Sequence, residues 1–224
     1  MSSNGLILER HYVFRYCSPT RRALLTGRFP THLTTVQADN HDMCSDFMPL
    51  NATILSEKLL EKSYDSYFLG KGHLGYQTTD HLPINRGFKS HVGFLAGAET
   101  YAHGGGSCNA TSGKHDLWNE DAPAYDIVPT LDYSTNYYTE RAVSIIESRS
   151  VESSKPFFMY FAIQNVHTPY TLPPEWEQSD YPKMWDQTYV YMVFCVSLPS
   201  LQIYLLLILG TQTCSTYSIL QHSI

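Results

Sequence analysis

Three places in the chain carry residue types whose spacing could do chemistry. In the first, Cys17 is followed by Pro19, Arg21 and Arg22, and the stretch runs on through Ala23-Leu24-Leu25-Thr26-Gly27. A proline suits the first helical position, because its ring fixes φ and its missing N–H would be unpaired there. Arg22 to Leu25 continue a short helix that Gly27 can close in the left-handed conformation. Cys17 then falls just ahead of a helix N-terminus, where free N–H groups and the helix dipole favour an anion or a thiolate. In the second, Lys71 and His73 stand two apart within Gly70-Lys71-Gly72-His73-Leu74-Gly75. On an extended loop they point the same way and can meet one tetrahedral anion. The third is His167, in Gln164-Asn165-Val166-His167-Thr168-Pro169. Each has a plainer explanation when taken alone: an inert free cysteine, a solvated lysine in a glycine-rich turn, a hydrogen-bonded loop histidine.

The elements that must position these groups are readable in outline. From Thr53, an N-cap candidate, Ile54, Leu55, Lys58, Leu59 and Leu60 read as an amphipathic helix. Ser66-Tyr67-Phe68-Leu69 reads as a short buried strand that breaks into the Lys71/His73 loop. Residues 31–50 are polar and loop-like, and residues 80–130, rich in Gly, Pro, Asn and Asp, read as a long surface excursion. A helix is expected over about 136–148, with Ala142, Val143, Ile145 and Ile146 on its buried face. Phe157-Phe158-Met159-Tyr160-Phe161-Ala162-Ile163 is nearly continuous in its apolarity, the pattern of a strand covered on both faces. Helix, strand and polar loop in succession favour an open α/β sheet, whose ligands gather at the carboxyl ends of the strands. The Lys71/His73 loop and His167 both fall there.

Length and charge bound the rest. The 224 residues suffice for one domain with a sizeable core, and a net charge of −6 argues against a nucleic-acid partner. The five cysteines, Cys17, Cys44, Cys108, Cys195 and Cys214, contain no C-x-x-C pair that would suggest zinc or a redox motif. Two sequons, at Asn51 and Asn109, permit glycosylation in the secretory pathway. The first ten residues do not have the form of a signal peptide. After Asp186 there is no Asp, Glu, Lys or Arg, and residues 189–209 are long and apolar enough to be weighed as a membrane span, although Ser197, Pro199, Ser200 and Gln202 interrupt them. Membrane contact is expected only through this run. Residues 184–224 are accordingly separated, as an apolar tail, from residues 1–183.

Taken together, the motifs carry a resemblance. Cys17-Ser18-Pro19-Thr20-Arg21 followed by Leu25-Thr26-Gly27 resembles the signature C-x-P-S/T-R…L-T-G of the sulfatase family. Gly70 to Gly75 resembles its second signature, G-K-W/Y-H-L-G, with Gly72 in place of the aromatic. Asp80 to Phe88 resembles its P-x-x-R-G-F element. Gly93-Phe94-Leu95-Ala96-Gly97-Ala98-Glu99-Thr100-Tyr101 looks like G-Y-L-x-G-x-E-D-Y, worded most closely as in the arylsulfatase B, I and J branch, which is N-acetylgalactosamine-4-sulfatase-like. Lys155 to Pro169 resembles K-P-L-F-L-Y-L-A-x-Q-x-V-H-x-P. The markers stand in the family's order over about residues 4 to 178, so weak motifs add to a strong joint signal.

The resemblance implies an alkaline-phosphatase-like α/β fold, a mostly parallel mixed sheet flanked by helices and here incomplete, with residues 1–183 as part of the catalytic domain. It implies hydrolysis of sulfate esters, on aryl alcohols or sulfated glycans such as glycosaminoglycans. Cys17 would be oxidised to formylglycine by a formylglycine-generating enzyme, which would also remove the odd cysteine from the thiol pool, and the aldehyde hydrate would attack sulfur. Arg21 would stabilise the hydrate's charge. Lys71 would bind sulfate and hydrate, and His73 would hydrogen-bond the hydrate and help break down the sulfo-enzyme. His167 would bind sulfate and donate a proton to the leaving alcohol. A calcium ion would polarise the sulfate. Of its ligands only residue 17 has a counterpart here; Asp39, Asp42 and Asp46 match no family position and read as a solvated loop. Lysosomal, secreted or endoplasmic-reticulum localisation follows from the same likeness. Two alternatives stand beside it: a catalytically inactive sulfatase-like fragment, and a glycoprotein anchored in a membrane through residues 189–209. Gly72 removes an aromatic packing anchor and is expected to loosen the backbone beside Lys71 and His73.

Overall fold

The computed structural model describes residues 10, 12–14, 16–33, 47–101, 115–128, 132–152, 155–165, 167, 173, 206–210 and 217–220. Asn109, Asp39, Asp42, Asp46, Cys44, Cys108, Cys195 and Cys214 lie outside these residues, as does most of the tail.

Three parallel strands form the centre: β1 (Asp65–Lys71) lies between β2 (Ser90–Phe94) and β5 (Phe157–Ala162). β3 (Leu117–Asn119) runs antiparallel to β2, and β4 (Ala122–Pro123) antiparallel to β3. On the other side, β6 (Leu206–Gly210) pairs antiparallel with β5 and β7 (Tyr217–Leu220) with β6. The order of this seven-stranded mixed sheet is β4-β3-β2-β1-β5-β6-β7. The last two strands fall within residues 184–224. Among the described residues, no helix is long and apolar enough to cross a membrane.

Strand alternation sorts the core into two layers. Tyr67 and Leu69 of β1 and Phe157 and Met159 of β5 face one side, where they pack with Phe94, Leu117, Tyr138 and Ala142. Phe68, Phe158 and Tyr160 face the other, against Leu25, Ile54 and Phe88. The first layer is covered by α3 (Ser134–Glu152), the second by α1 (Cys17–Thr26) and α2 (Leu55–Leu60). Both faces of β1 and β5 are therefore covered, as the apolar run of β5 requires. Arg149 ties α3 to the start of β1, donating to Asp65 Oδ2 at 2.7 Å, to Tyr67 Oη at 2.8 Å and to the Lys155 carbonyl at 2.7 Å.

Five local expectations change, the first being that Val143, expected on the buried face of α3, is 46% exposed. α1 begins at Cys17 itself, so Cys17 lies in the first turn and Pro19 is the third helical residue; both still fall among the N–H groups that have no intrahelical acceptor. Gly27 closes the helix as expected, at φ 67°, with its N–H on the Ala23 carbonyl at 2.8 Å. Ile54 rather than Thr53 takes the cap position of α2, because the Glu57 carboxylate accepts the Ile54 N–H at 2.8 Å. β1 continues through Gly70 and Lys71 rather than breaking there. Finally, residues 80–130 are not a surface excursion throughout, for they supply β2, at the centre of the sheet, and buried Phe88, Phe94 and Tyr101.

β2 escapes a reading by apolar pattern because its composition is dictated by neighbours. A side chain on Gly70, which sits at φ +95°, would collide with the Ala162 carbonyl, and Gly93 lies directly against the Gly70 backbone. Both glycines are needed for three backbones to approach this closely. His91 of β2 is fully buried against Phe68, ring centroids 5.0 Å apart, and neither of its ring nitrogens has a partner among the described residues.

Phe68 is wholly buried and also meets Phe88 and Tyr160, at 5.2 and 4.7 Å between centroids. Phe68→Ala is expected to lower stability by about 3–5 kcal/mol. Urea unfolding should show this as a lower midpoint with an unchanged slope.

Candidate active site

Position 17 stands at the carboxyl end of the central strands, and the five residues singled out from the sequence meet there. Cys17 Sγ lies 2.9 Å from His73 Nδ1. His167 hydrogen-bonds the same sulfur, and Lys71 is close enough both to hydrogen-bond it and to act on it by charge. Arg21, one helical turn beyond Cys17, donates through one terminal nitrogen to the Lys71 carbonyl at 3.0 Å and to Tyr160 Oη at 3.1 Å. Its Nε–H is buried without an acceptor among the described residues.

Different elements aim these groups. α1 brings Cys17 and Arg21 on one face. It is anchored by Thr20, whose hydroxyl sits 2.7 Å from each of the Phe14 and Tyr16 carbonyls. The end of β1 delivers Lys71. His73 adopts φ 54°, a left-handed conformation that a side chain bearing Cβ takes only when its surroundings hold it there. What holds it is the end of β2: Gly72 N–H donates to the Phe94 carbonyl at 2.7 Å, and His73 N–H to the Leu95 carbonyl at 3.1 Å. The expected loosening at Gly72 is therefore countered by two backbone hydrogen bonds. A Cβ there would stand 3.1 Å from the Phe94 carbonyl oxygen, so the bare residue fits the closeness of β2.

Electrostatics follow from concentration of positive charge in a dry place. Burial opposes a charged Cys17. Hydrogen bonds from His167 and His73, with the charges of His73 and Lys71, outweigh it and bring the thiol down to about 4. Burial, seconded by the Arg21 charge, lowers the Lys71 ammonium to about 8 against the opposing pull of Cys17. Burial also lowers His73, with the Cys17 hydrogen bond working the other way.

The donor set decides what could be held here. The encoded thiol marks the place from which a modified residue 17 would act, and two imidazoles with two cations suit an oxyanion at that place. Calcium asks for oxygen ligands, chiefly carboxylates. Among the described residues no group of three or more His, Cys, Asp or Glu side chains could hold a metal, and the neighbours of residue 17 present nitrogen. The described residues thus do not fit a calcium shell.

Other members of the neighbourhood were not singled out from sequence. Tyr160 sits inside the apolar β5 run and gave no signal. Tyr101, Gly97, Glu99 and Gln164 all lie within the motif strings, but nothing in the strings says what they touch. Gln164 brackets Glu99: its Oε1 accepts the Glu99 N–H at 2.8 Å and its Nε2 donates to the Glu99 carbonyl at 2.7 Å. The Glu99 carboxyl is fully buried and accepts from Tyr138 Oη at 2.9 Å.

The sulfatase family model matches residues 1–208, and the chain belongs to the sulfatase family. It is 32% identical over 174 residues to arylsulfatase J of Mus musculus, covering 77% of this chain and 28% of that protein. To N-acetylgalactosamine-6-sulfatase of Mus musculus it is 29% identical over 185 residues, covering 75% of this chain and 34% of that protein. Among solved structures, Ps i-CgsB in complex with k-i-k-neocarrahexaose is similar with a TM-score of 0.56 at 27% identity, covering 80% of this chain and 41% of that one. The chain spans well under half the length of each of these relatives. The mixed α/β sheet is that of the family's alkaline-phosphatase-like fold.

Two outcomes follow. A thiol held near 4 is thiolate at pH 6, so iodoacetamide should alkylate Cys17 there, and His73→Ala should slow the reaction by about tenfold or more. Peptide mass spectrometry over a time course measures this. Burial pushes Glu99 up to about 8, with the nearby Asp116 charge adding to it, and pushes Asp116 up to about 6. A carboxyl raised in the folded state contributes stability that is complete below its unfolded value and lost as pH rises through its folded one. His91, driven down to about 4 by burial, acts oppositely: its contribution is present above about 6.5 and lost as pH falls towards 4. Cys17 works against Glu99: its thiol, lowered to about 4 from an unfolded value near 9, makes a contribution that grows as pH rises between them. Between pH 6.5 and 8 the two oppose each other and the melting temperature should change little, whereas Glu99→Gln, which still accepts from Tyr138, should make it rise with pH in thermal melts.

Proposed function

We propose that this chain carries the reaction centre of a sulfate ester hydrolase of the arylsulfatase type, acting on sulfated glycans or aryl sulfates. The observation that supports it is the convergence on position 17 of Lys71, Arg21, His73 and His167, with no carboxylate among the described residues there to neutralise them. A pocket of that charge favours a small anion and disfavours a cationic or apolar ligand.

Oxidised to formylglycine and hydrated, residue 17 supplies one hydroxyl to attack sulfur and a second whose collapse releases sulfate. Lys71 and His167 bind the sulfate oxygens and offset the charge that builds on them. Arg21, fixed by the Lys71 carbonyl and Tyr160, steadies the negative charge at residue 17. His73 Nδ1, already beside the side chain of residue 17, holds and accepts the hydroxyl proton there. His167 gives a proton to the leaving alcohol oxygen, so the alcohol departs neutral. Burial of Lys71 and His73 keeps water from screening these charges. A divalent cation belongs to the family's chemistry, but no step here runs through one, since the described residues do not build its shell.

Residues 1–183 hold every group named in this mechanism, while the apolar segment of residues 184–224 adds β6 and β7 to the same sheet beside β5. Lysosomal or secreted localisation, maturation by a formylglycine-generating enzyme and glycosylation at Asn51 belong to the same proposal; Asn51 is exposed, as a glycosylation acceptor must be. The lack of carboxylates near residue 17 among the described residues favours one further reading, a chain that binds sulfate but turns over slowly or not at all.

Expression of the 224-residue chain with a formylglycine-generating enzyme tests both. Peptide mass analysis should find aldehyde in place of thiol at residue 17. Inorganic sulfate should bind, and Lys71→Ala should weaken it about tenfold or more, as loss of a buried charge-assisted contact does. Turnover of a chromogenic aryl sulfate separates the hydrolase from the binding fragment. An intact thiol together with absent sulfate binding would sink the proposal.

A further inference from the structure

The two histidines that meet at residue 17 come from loops after different strands, β1 and β5. One segment touches both. Residues 95–101, the stretch following β2, lie against His73 at one end and His167 at the other.

At the first end, the Leu95 carbonyl accepts the His73 N–H at 3.1 Å. Two residues on, Gly97 faces the imidazole. A Cβ built there would stand 2.8 Å from His73 Cε1, 2.8 Å from Nε2 and 3.3 Å from Cδ2, and these are the three nearest atoms. Gly97 does not adopt a positive φ, so its backbone alone does not demand glycine. The space is taken by the ring. Any side chain at 97 must displace the imidazole from the place in which it meets the sulfur.

At the second end, the Tyr101 hydroxyl donates to the His167 carbonyl at 2.9 Å and accepts the His167 N–H at 3.3 Å. One phenol oxygen thus satisfies both backbone groups of the histidine. Tyr101 is fully buried and cannot drift: its ring stacks on Tyr133 with centroids 5.0 Å apart and planes 9° from parallel, and its carbonyl accepts the Ser134 N–H at 2.7 Å. Between the two ends, Gln164 locks the backbone of Glu99 to the residues just after β5. Tyr133 in turn accepts from Asn165 Nδ2 at 3.2 Å, and Asn165 Oδ1 accepts from Thr135. The segment is therefore braced on α3 and on the His167 loop at once.

We propose that residues 95–101 are the positioning element of the site, with Gly97 reserving the place of the His73 imidazole and the Tyr101 hydroxyl fixing His167. Neither residue touches the reacting atoms; each acts through a histidine. A displacement of about 1 Å in such a group is enough to cost on the order of a hundredfold in rate. The inference rests on the hydrolase proposal for its meaning in catalysis, but the geometry it asserts can be tested without turnover.

The experiment uses the 224-residue chain labelled with ¹⁵N-histidine. Imidazole cross-peaks are assigned from His73→Ala and His167→Ala, and thermal melts are run in parallel. Tyr101→Phe keeps the stacked ring and removes both hydroxyl hydrogen bonds; it should move the His167 cross-peak and leave that of His73 in place. Gly97→Ala should do the reverse. If Gly97→Ala lowers the melting temperature or fails to fold, adding His73→Ala removes the atoms its methyl meets and should restore folding. Unmoved cross-peaks in both variants, equal movement of both peaks in either, or no rescue in the double variant would overturn the proposal. Inorganic sulfate titration adds the link to function: Tyr101→Phe should weaken binding by about fivefold or more, and unchanged binding counts against the segment's role. Should the unsubstituted chain bind no sulfate, the hydrolase proposal fails, while the cross-peaks and the rescue still decide the positioning.

Discussion

The contact between the sulfur of residue 17 and Nδ1 of His73 joins groups 56 residues apart, and most of the molecule can be understood as what makes it achievable. It asks the first turn of a helix to meet the residue just beyond a central strand. That meeting needs the strand end to be narrow, which Gly70 and Gly93 provide by letting three backbones crowd together. It also needs His73 to hold an unfavourable backbone conformation, which the hydrogen bonds to the end of β2 enforce. Strain of this sort persists where the surroundings over-determine it, and that is the situation of a group whose direction matters more than its local comfort.

Clustering positive charge away from water is unfavourable in itself. Lys71 is almost wholly buried, and Arg21 lies within reach of it. The polar framework compensates only in part. The Lys71 carbonyl and Tyr160 take up some of the Arg21 donors, and the sulfur side chain draws on both histidines. A buried donor such as Arg21 Nε–H remains without an acceptor among the described residues. Unmet donors of this kind raise the energy of the cluster, and under the proposed function a tetrahedral oxyanion would meet groups already held in orientation.

How much of this could be read in the residues depends on whether a residue's role is local. β5 and α3 were legible because an unbroken apolar run and a 3.6-residue period are local consequences of burial. The cap of α1 at Gly27 was legible for the same reason. β2 was not: Ser90-His91-Val92-Gly93-Phe94 looks like a loop until its neighbours are known, since Gly93 is required by Gly70 and His91 is buried by Phe68. At the site, Cys17, Arg21, Lys71, His73 and His167 could be named in advance because their order along the chain matches a known series of motifs. Tyr160, Gly97 and Tyr101 could not, because each acts on a residue far away in sequence and through its shape or a single oxygen.

One edge of the sheet has a consequence of its own. β4 is only two residues long, and Pro123, the residue opposite Trp118, has no N–H to offer. A foreign strand arriving on that side would find almost no ladder to extend, so end-to-end stacking of molecules through it is discouraged. The β4 flank is thereby shielded from aggregation by a proline and by brevity, with β3 and β2 between it and the crowded β1 with its Gly70.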